Sequence, residues 1–112
     1  MAVISSHTLN GTDGTHADGI TVTLSRLGQD NEIIFETVMD DGGRLEQEIA
    51  PTQIDPDAIY ELVFETGSFW NERNISGAIS QIVLRFSMPD VNGKYHMPVI
   101  LNPNSYTIWR SS

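Results

Sequence analysis

Apolar and polar positions alternate with a period of two along most of this chain. In Ile20-Thr21-Val22-Thr23-Leu24-Ser25, apolar residues take turns with hydroxylated ones. A strand with one buried face requires this, because successive side chains point to opposite sides of a sheet. In Ile82-Val83-Leu84-Arg85-Phe86-Ser87-Met88 the even positions share a face, and Arg85 and Ser87 turn to water. Ile59 to Phe64 is apolar on both faces apart from Glu61, the pattern of a central strand. Tyr95 to Leu101 and Ser105 to Trp109 alternate as well, and Val3 to Leu9 and Glu32 to Val38 are shorter candidates. Between these runs lie Asn10-Gly11, Asp13-Gly14, Asp18-Gly19, Asp41-Gly42-Gly43 and Asn92-Gly93, residues that tolerate the backbone of tight turns. About seven short strands with such punctuation predict an all-β antiparallel sandwich or barrel. The pattern shows no linker and no repeat, so residues 1–112 are expected to form one domain.

Two places disturb the pattern. Ser68 is placed to cap a short helical turn through Phe69-Trp70-Asn71-Glu72-Arg73. Pro98 falls inside the Tyr95–Leu101 run and has no N–H for a ladder, so that strand is expected to be an edge there or to bulge. An exposed edge needs protection, which a second subunit would supply.

Composition narrows the function. With 39% hydrophobic and 19% charged residues in 112, the chain has the means to build a core and does not read as disordered. A net charge of −9 argues against nucleic acid and against an anionic membrane surface, although a local pocket of opposite sign stays possible. There is no cysteine, so neither disulfides nor a thiolate metal site can form. No stretch approaches the roughly 18 apolar residues of a membrane helix, and MAVISSHTLNG lacks the features of a secretory signal. A cytoplasmic protein is the expectation.

Candidate chemistry rests on few residues. His7, His16 and His96 are the side chains that titrate near neutral pH. His7 and His96 fall in predicted strands, and His96 faces outward if Tyr95, Met97 and Val99 face the core. His16 lies in a Gly/Asp-rich loop and receives no role, and Arg44 reads as a surface arginine after a Gly-Gly turn. The sequence has no nucleophile elbow, no zinc-protease helix, no P-loop and no dinucleotide fingerprint. The residues taken alone stop at an all-β domain of open function.

The two ends of the chain add more. Tyr95-His96-Met97-Pro98-Val99-Ile100-Leu101-Asn102-Pro103, followed by Ser105-Tyr106-Thr107-Ile108-Trp109-Arg110-Ser111-Ser112, resembles the end of the 5-hydroxyisourate hydrolases, the enzymatic branch of the transthyretin-like proteins. Members of that family typically read Y-H-[VI]-P-L-L-L-S-P and then G-Y-S-T-Y-R-G-S. Ser6-His7-Thr8-Leu9-Asn10 resembles the family's T-H-V-L-D. Gly14 and Ala17 match its G-x-P-A loop, with His16 in place of the proline. Gly43-Arg44 resembles the end of its D-G-R turn, with Gly42 in place of the aspartate, and Phe64-Glu65-Thr66 resembles its F-D-T. Trp109 and Ser111 stand where the family has tyrosine and glycine, and Ser80 and Gln81 where it has proline and glutamate.

The resemblance implies a transthyretin-like β-sandwich of two four-stranded sheets with one short helix. It implies a homotetramer, a dimer of dimers, with active sites in the channel between dimers. The implied activity is hydrolysis of 5-hydroxyisourate to 2-oxo-4-hydroxy-4-carboxy-5-ureidoimidazoline in urate breakdown, by histidine-assisted attack of water on a cyclic amide. Neither cofactor nor metal is required. The implied catalytic residues are His7, Arg44 and His96, with Arg110, Ser112 and Thr107 binding substrate. The alternative is a non-enzymatic carrier of small ligands using the same channel, as in vertebrate transthyretin, and retention of His7, Arg44, His96 and Arg110 separates the two readings.

Overall fold

A computed structural model describes residues 1–111 of the protein. The described residues form nine strands: β1 (Ala2–Asn10), β2 (Thr21–Leu27), β3 (Glu32–Val38), β4 (Arg44–Ile49), β5 (Ile59–Glu65), β6 (Gln81–Phe86), β7 (Lys94–His96), β8 (Val99–Leu101) and β9 (Tyr106–Ile108). One sheet runs β4-β1-β8-β9, with β7 also on β1, and the other runs β3-β2-β5-β6. Their apolar faces meet in one core that holds Ile4, Val99 and Leu101 from the first sheet and Val22, Leu24, Leu62, Phe64 and Ile82 from the second. Each such side chain contributes about 1.5–3 kcal/mol by leaving water. Tyr60, Leu62 and Phe64 are buried in β5, which lies between β2 and β6, as the doubly apolar run predicts.

Strand β1 organises the first sheet. Its even residues are buried, but only Ala2 and Ile4 among them are apolar; Ser6, Thr8 and Asn10 complete the row. Burying a hydroxyl or amide is tolerable when it is hydrogen-bonded, and all three are. Ser6 donates to the Met97 carbonyl at 2.6 Å. Thr8 donates to the Ala17 carbonyl at 2.6 Å and reaches the Gly43 carbonyl at 3.2 Å. Asn10 Oδ1 accepts from the Thr12 backbone at 2.9 Å and its hydroxyl at 2.6 Å. The inner face of β1 thereby ties down two loops, and its outer face carries Val3, Ser5, His7 and Leu9.

The structure departs from expectation in four places. Tyr95–Leu101 is two strands, β7 and β8, interrupted at Pro98; taken as one broken strand, they give the two four-stranded sheets of the sandwich. It is not an edge, because β8 lies between β1 and β9. The break leaves its neighbours satisfied: Met97 N–H donates to the Ser5 carbonyl at 2.9 Å and Trp109 N–H to the Pro98 carbonyl at 3.4 Å. Second, β7 and β8 run parallel to β1, so the first sheet is mixed rather than antiparallel. Third, β4 went unread in the sequence. Fourth, the helix α1 spans Gly67–Asn71 with Thr66 at its N-cap. Ser68 therefore lies inside the helix, and the Thr66 hydroxyl bonds the Ile79 carbonyl at 3.1 Å instead of capping. No helix among the described residues is long and apolar enough to cross a membrane.

Candidate active site

The outer face of the first sheet gathers the residues of interest by strand register. His7 on β1 pairs with Arg44 at the start of β4. One rung away on the same face, Ser5 lies between Glu46 of β4 and His96 of β7. Alternation decides the facing of His96: Tyr95 and Met97 are buried in the core, so the histidine between them must turn outward. Its Nδ1 lies 2.8 Å from Ser5 Oγ, which fixes the ring and leaves Nε2 open. Arg44 is delivered by the turn before it. Asp40 Oδ1 accepts from the backbone N–H groups of Gly42 and Arg44, each at 2.9 Å. Gly43 closes the turn at φ 69°.

A hollow of about 510 Å³ opens on this face, lined by Val3, Ser5, Arg44, Glu46, Lys94 and His96 among others. His7 is outside its lining, across the rung from Arg44. The ion pairs among the described residues are Arg26–Glu32 and Arg85–Glu61, both on the second sheet, so the Arg44 guanidinium carries none. Arg44 and Lys94 line the hollow together with the carboxylates Asp40 and Glu46, so cationic and acidic side chains share it within a chain of net charge −9. The guanidinium of Arg44, free of an ion pair, is the group there suited to an anion.

His7 titrates below the ordinary histidine value of 6.5. Burial disfavours its charged form most, followed by the positive charge of Arg44 and by His16 and His96; a hydrogen bond with the Gly42 backbone pulls the other way. The ring is neutral at pH 7 and has a lone pair to offer.

His16 is the residue that sequence reasoning passed over. Its Nδ1 lies 2.9 Å from His7 Nε2, with ring centroids 5.0 Å apart. The one signal was its place in the family's G-x-P-A loop, where it stands for proline.

The C-terminal residues divide. Thr107 pairs with Ile100, which pairs with Leu9, so it lies on the same face, beyond the His7 rung. Ser111 bridges to His96, donating its N–H to that residue's carbonyl at 2.8 Å. Arg110 turns elsewhere: its guanidinium donates to the Ser87 carbonyl at 3.0 Å and stacks 4.7 Å over the Tyr95 ring. Ser112 lies outside the described residues. His7, Arg44 and His96 are thus brought together, with His16 added, and Arg110 is not among them in a single chain. Among the described residues no group of three or more His, Cys, Asp or Glu is arranged to hold a metal ion.

A family model described as "HIUase/Transthyretin family" matches residues 4–111. The chain is 30% identical over 117 residues to a 5-hydroxyisourate hydrolase from Pseudomonas aeruginosa, covering 100% of the chain and 93% of the relative. It is 32% identical over 114 residues to one from Mus musculus, covering 97% and 94%. Among solved structures, a 5-hydroxyisourate hydrolase from Klebsiella pneumoniae superposes with a TM-score of 0.83 at 28% identity, covering 100% of both chains.

Proposed function

The chain belongs to the HIUase/transthyretin family, and we propose that it hydrolyses 5-hydroxyisourate to 2-oxo-4-hydroxy-4-carboxy-5-ureidoimidazoline on the outer face of its first sheet. The observation that carries this reading is the His7–Arg44 rung with His96 one rung away, beside a hollow that Arg44 and His96 line. Full-length likeness to hydrolases at both the sequence and the structure level supports it.

In the reaction a histidine of this face takes a proton from water as the water oxygen bonds to the ring carbonyl carbon. The carbonyl electron pair moves onto its oxygen, and the ring C–N bond then breaks as its nitrogen takes a proton. General-base help of this kind accelerates such steps by about 10²–10⁴-fold. Arg44 binds the anionic substrate and the developing oxyanion, a contribution of about 3–4 kcal/mol in comparable sites. Its planar fork matches paired oxygens better than an ammonium does. No metal or cofactor enters this scheme. Thr107, Arg110 and Ser112 complete the substrate contacts when the face is covered by a second copy in a homotetramer, a dimer of dimers working in the cytoplasm. Light scattering should then give four times the chain mass of 12.4 kDa.

The test is the ultraviolet decay of 5-hydroxyisourate, generated in place from urate, with and without the protein. Acceleration that is lost in His96→Ala is the expected result. An assembled tetramer with no acceleration would sink the hydrolase and turn attention to ligand carriage in the same channel.

A further inference from the structure

We propose that Ser5 is a further positioning residue of the hydrolase site, holding the His96 ring through Nδ1 and leaving Nε2 as its working nitrogen. The inference rests on the hydrolase reading. It adds a residue outside every motif that carries the family resemblance, since the N-terminal one begins at Ser6.

The backbone does not by itself fix the ring. Residues 5 and 96 are register partners on the parallel strands β1 and β7. Met97 N–H donates to the Ser5 carbonyl at 2.9 Å, and the His96 carbonyl accepts from Ser111 N–H at 2.8 Å. These bonds set where the His96 Cβ stands and leave two side-chain rotations open. Among the described residues no aromatic ring stacks on His96. The one hydrogen bond of its side chain is to Ser5 Oγ, at 2.8 Å in a half-buried setting. His7, by contrast, has the His16 ring against it.

Reach selects the nitrogen. Neighbouring strands lie about 4.8 Å apart, and a serine hydroxyl stands a single bond beyond its Cβ. In histidine Nδ1 is nearer the Cβ than Nε2 is, so a short side chain on the neighbouring strand meets Nδ1. A hydroxyl both donates and accepts. It therefore holds Nδ1 with or without a proton there, and the contact survives as Nε2 gains and loses one. Glu46 is the register partner of Ser5 on the other side and also lines the hollow. Even so, the Ser5 hydroxyl bonds His96 alone among the described residues. Ser5 thus sets the direction of the ring without adding a charge to it.

Two variants of the full-length protein test this. Ser5→Ala removes the hydroxyl, and Ser5→Thr keeps it on a residue that strands favour. Ser5→Ala should lower kcat for 5-hydroxyisourate by about 10–100-fold with KM little changed, because the ring is misplaced while Arg44 still binds substrate. Ser5→Thr should recover most of that loss. An unchanged kcat in Ser5→Ala, or a threonine variant as slow as the alanine one, would overturn the proposal. A loss confined to KM would overturn it too, by making Ser5 a substrate contact only. Nitrogen-15 NMR reads the contact without reference to activity. In Ser5→Ala the Nδ1 resonance of His96 should move, those of His7 and His16 should stay, and Ser5→Thr should restore the first. A His96 resonance that stays in place would mean that Ser5 does not hold the ring. A wild-type protein without activity would instead sink the hydrolase reading, and the NMR comparison would still decide whether Ser5 holds His96.

Discussion

Replacing Gly43 with alanine tests how the site is held. Gly43 sits at φ 69°, and a Cβ built there would lie 2.6 Å from the Thr8 carbonyl oxygen and 3.1 Å from that of Ala17. Both neighbours are backbone and cannot swing aside. Two costs combine. An L-residue in the left-handed region costs about 1–2 kcal/mol, and overpacking against backbone costs about 1–3 kcal/mol more. Gly14 separates them: it lies at φ 74° with nothing within 4 Å of its Cβ position, so Gly14→Ala carries the first cost alone. Gly43→Ala is therefore expected to lose about 2–5 kcal/mol and Gly14→Ala about 1–2. At about 4 °C per kcal/mol for a domain of this size, Tm falls by roughly 8–20 °C and 4–8 °C. Urea and thermal unfolding at one fixed protein concentration measure both, since any assembly makes stability concentration-dependent. Activity below the transition should drop in Gly43→Ala alone, because the strand pair that sets Arg44 against His7 must shift. Equal losses in the two variants would refute the contact argument and leave only backbone preference.

Further outcomes follow from the same geometry. His96→Ala should lower kcat/KM for 5-hydroxyisourate by about 100-fold or more, with far-ultraviolet circular dichroism unchanged; wild-type rates would remove His96 from the site. Arg44→Ala should cost about 10²–10³-fold and Arg44→Lys should recover only part of it, whereas equal rates for arginine and lysine would argue against paired-oxygen recognition. His7 is held below 6.5, so the acid limb of kcat/KM should have its midpoint below 6.5; a midpoint above 6.5 would contradict this. For stability, the unfolded chain takes up the His7 proton first as pH falls. The His7 contribution therefore declines below 6.5 and levels off under the folded value, which denaturation midpoints against a His7→Gln reference would show. Thr8→Val leaves the Ala17 carbonyl without its hydroxyl donor, while the Gly43 carbonyl keeps the backbone N–H of residue 8, and should cost about 1–3 kcal/mol in chemical denaturation.

Alternation made much of this legible in advance. It gave β1, β2, β5 and β6 and the outward facing of His96, because period two is a local property of a half-buried strand. What it does not carry is partnership. That β1 runs parallel to β7 and β8 is decided by packing between distant segments, and no local pattern announces it. β4 escaped because Gln47 occupies the inward position between Leu45 and Ile49, which makes Arg44-Leu45-Glu46-Gln47-Glu48-Ile49 read as polar. Pro98 was legible as a disturbance but not as a break inside a sheet, since that needs the neighbouring strands in place. For the site, His7, Arg44 and His96 came from resemblance at three separated motifs. His16 was visible only as a departure from a family proline, and its meaning appears once a loop folds it back onto β1. For Arg110 a terminal pattern does not tell where a long side chain turns, and within one chain it lies on the Ser87 carbonyl and the Tyr95 ring.

The pairing of β1 with β7 and β8 also sets an order in time. Residues 3–10 wait for partners at 94–101, so when the chain is made from its N-terminus β1 emerges long before its neighbours on that side exist. Segments β2, β3, β5 and β6 pair antiparallel over shorter spans and can assemble first. During synthesis β1 has only β4 to hold it, and its outer row of Val3, Ser5, His7 and Leu9 stays unfinished until residue 101 is out. The histidine face is thus completed late, and a chain stopped before Lys94 lacks His96 and the two strands that flank β1 on that side.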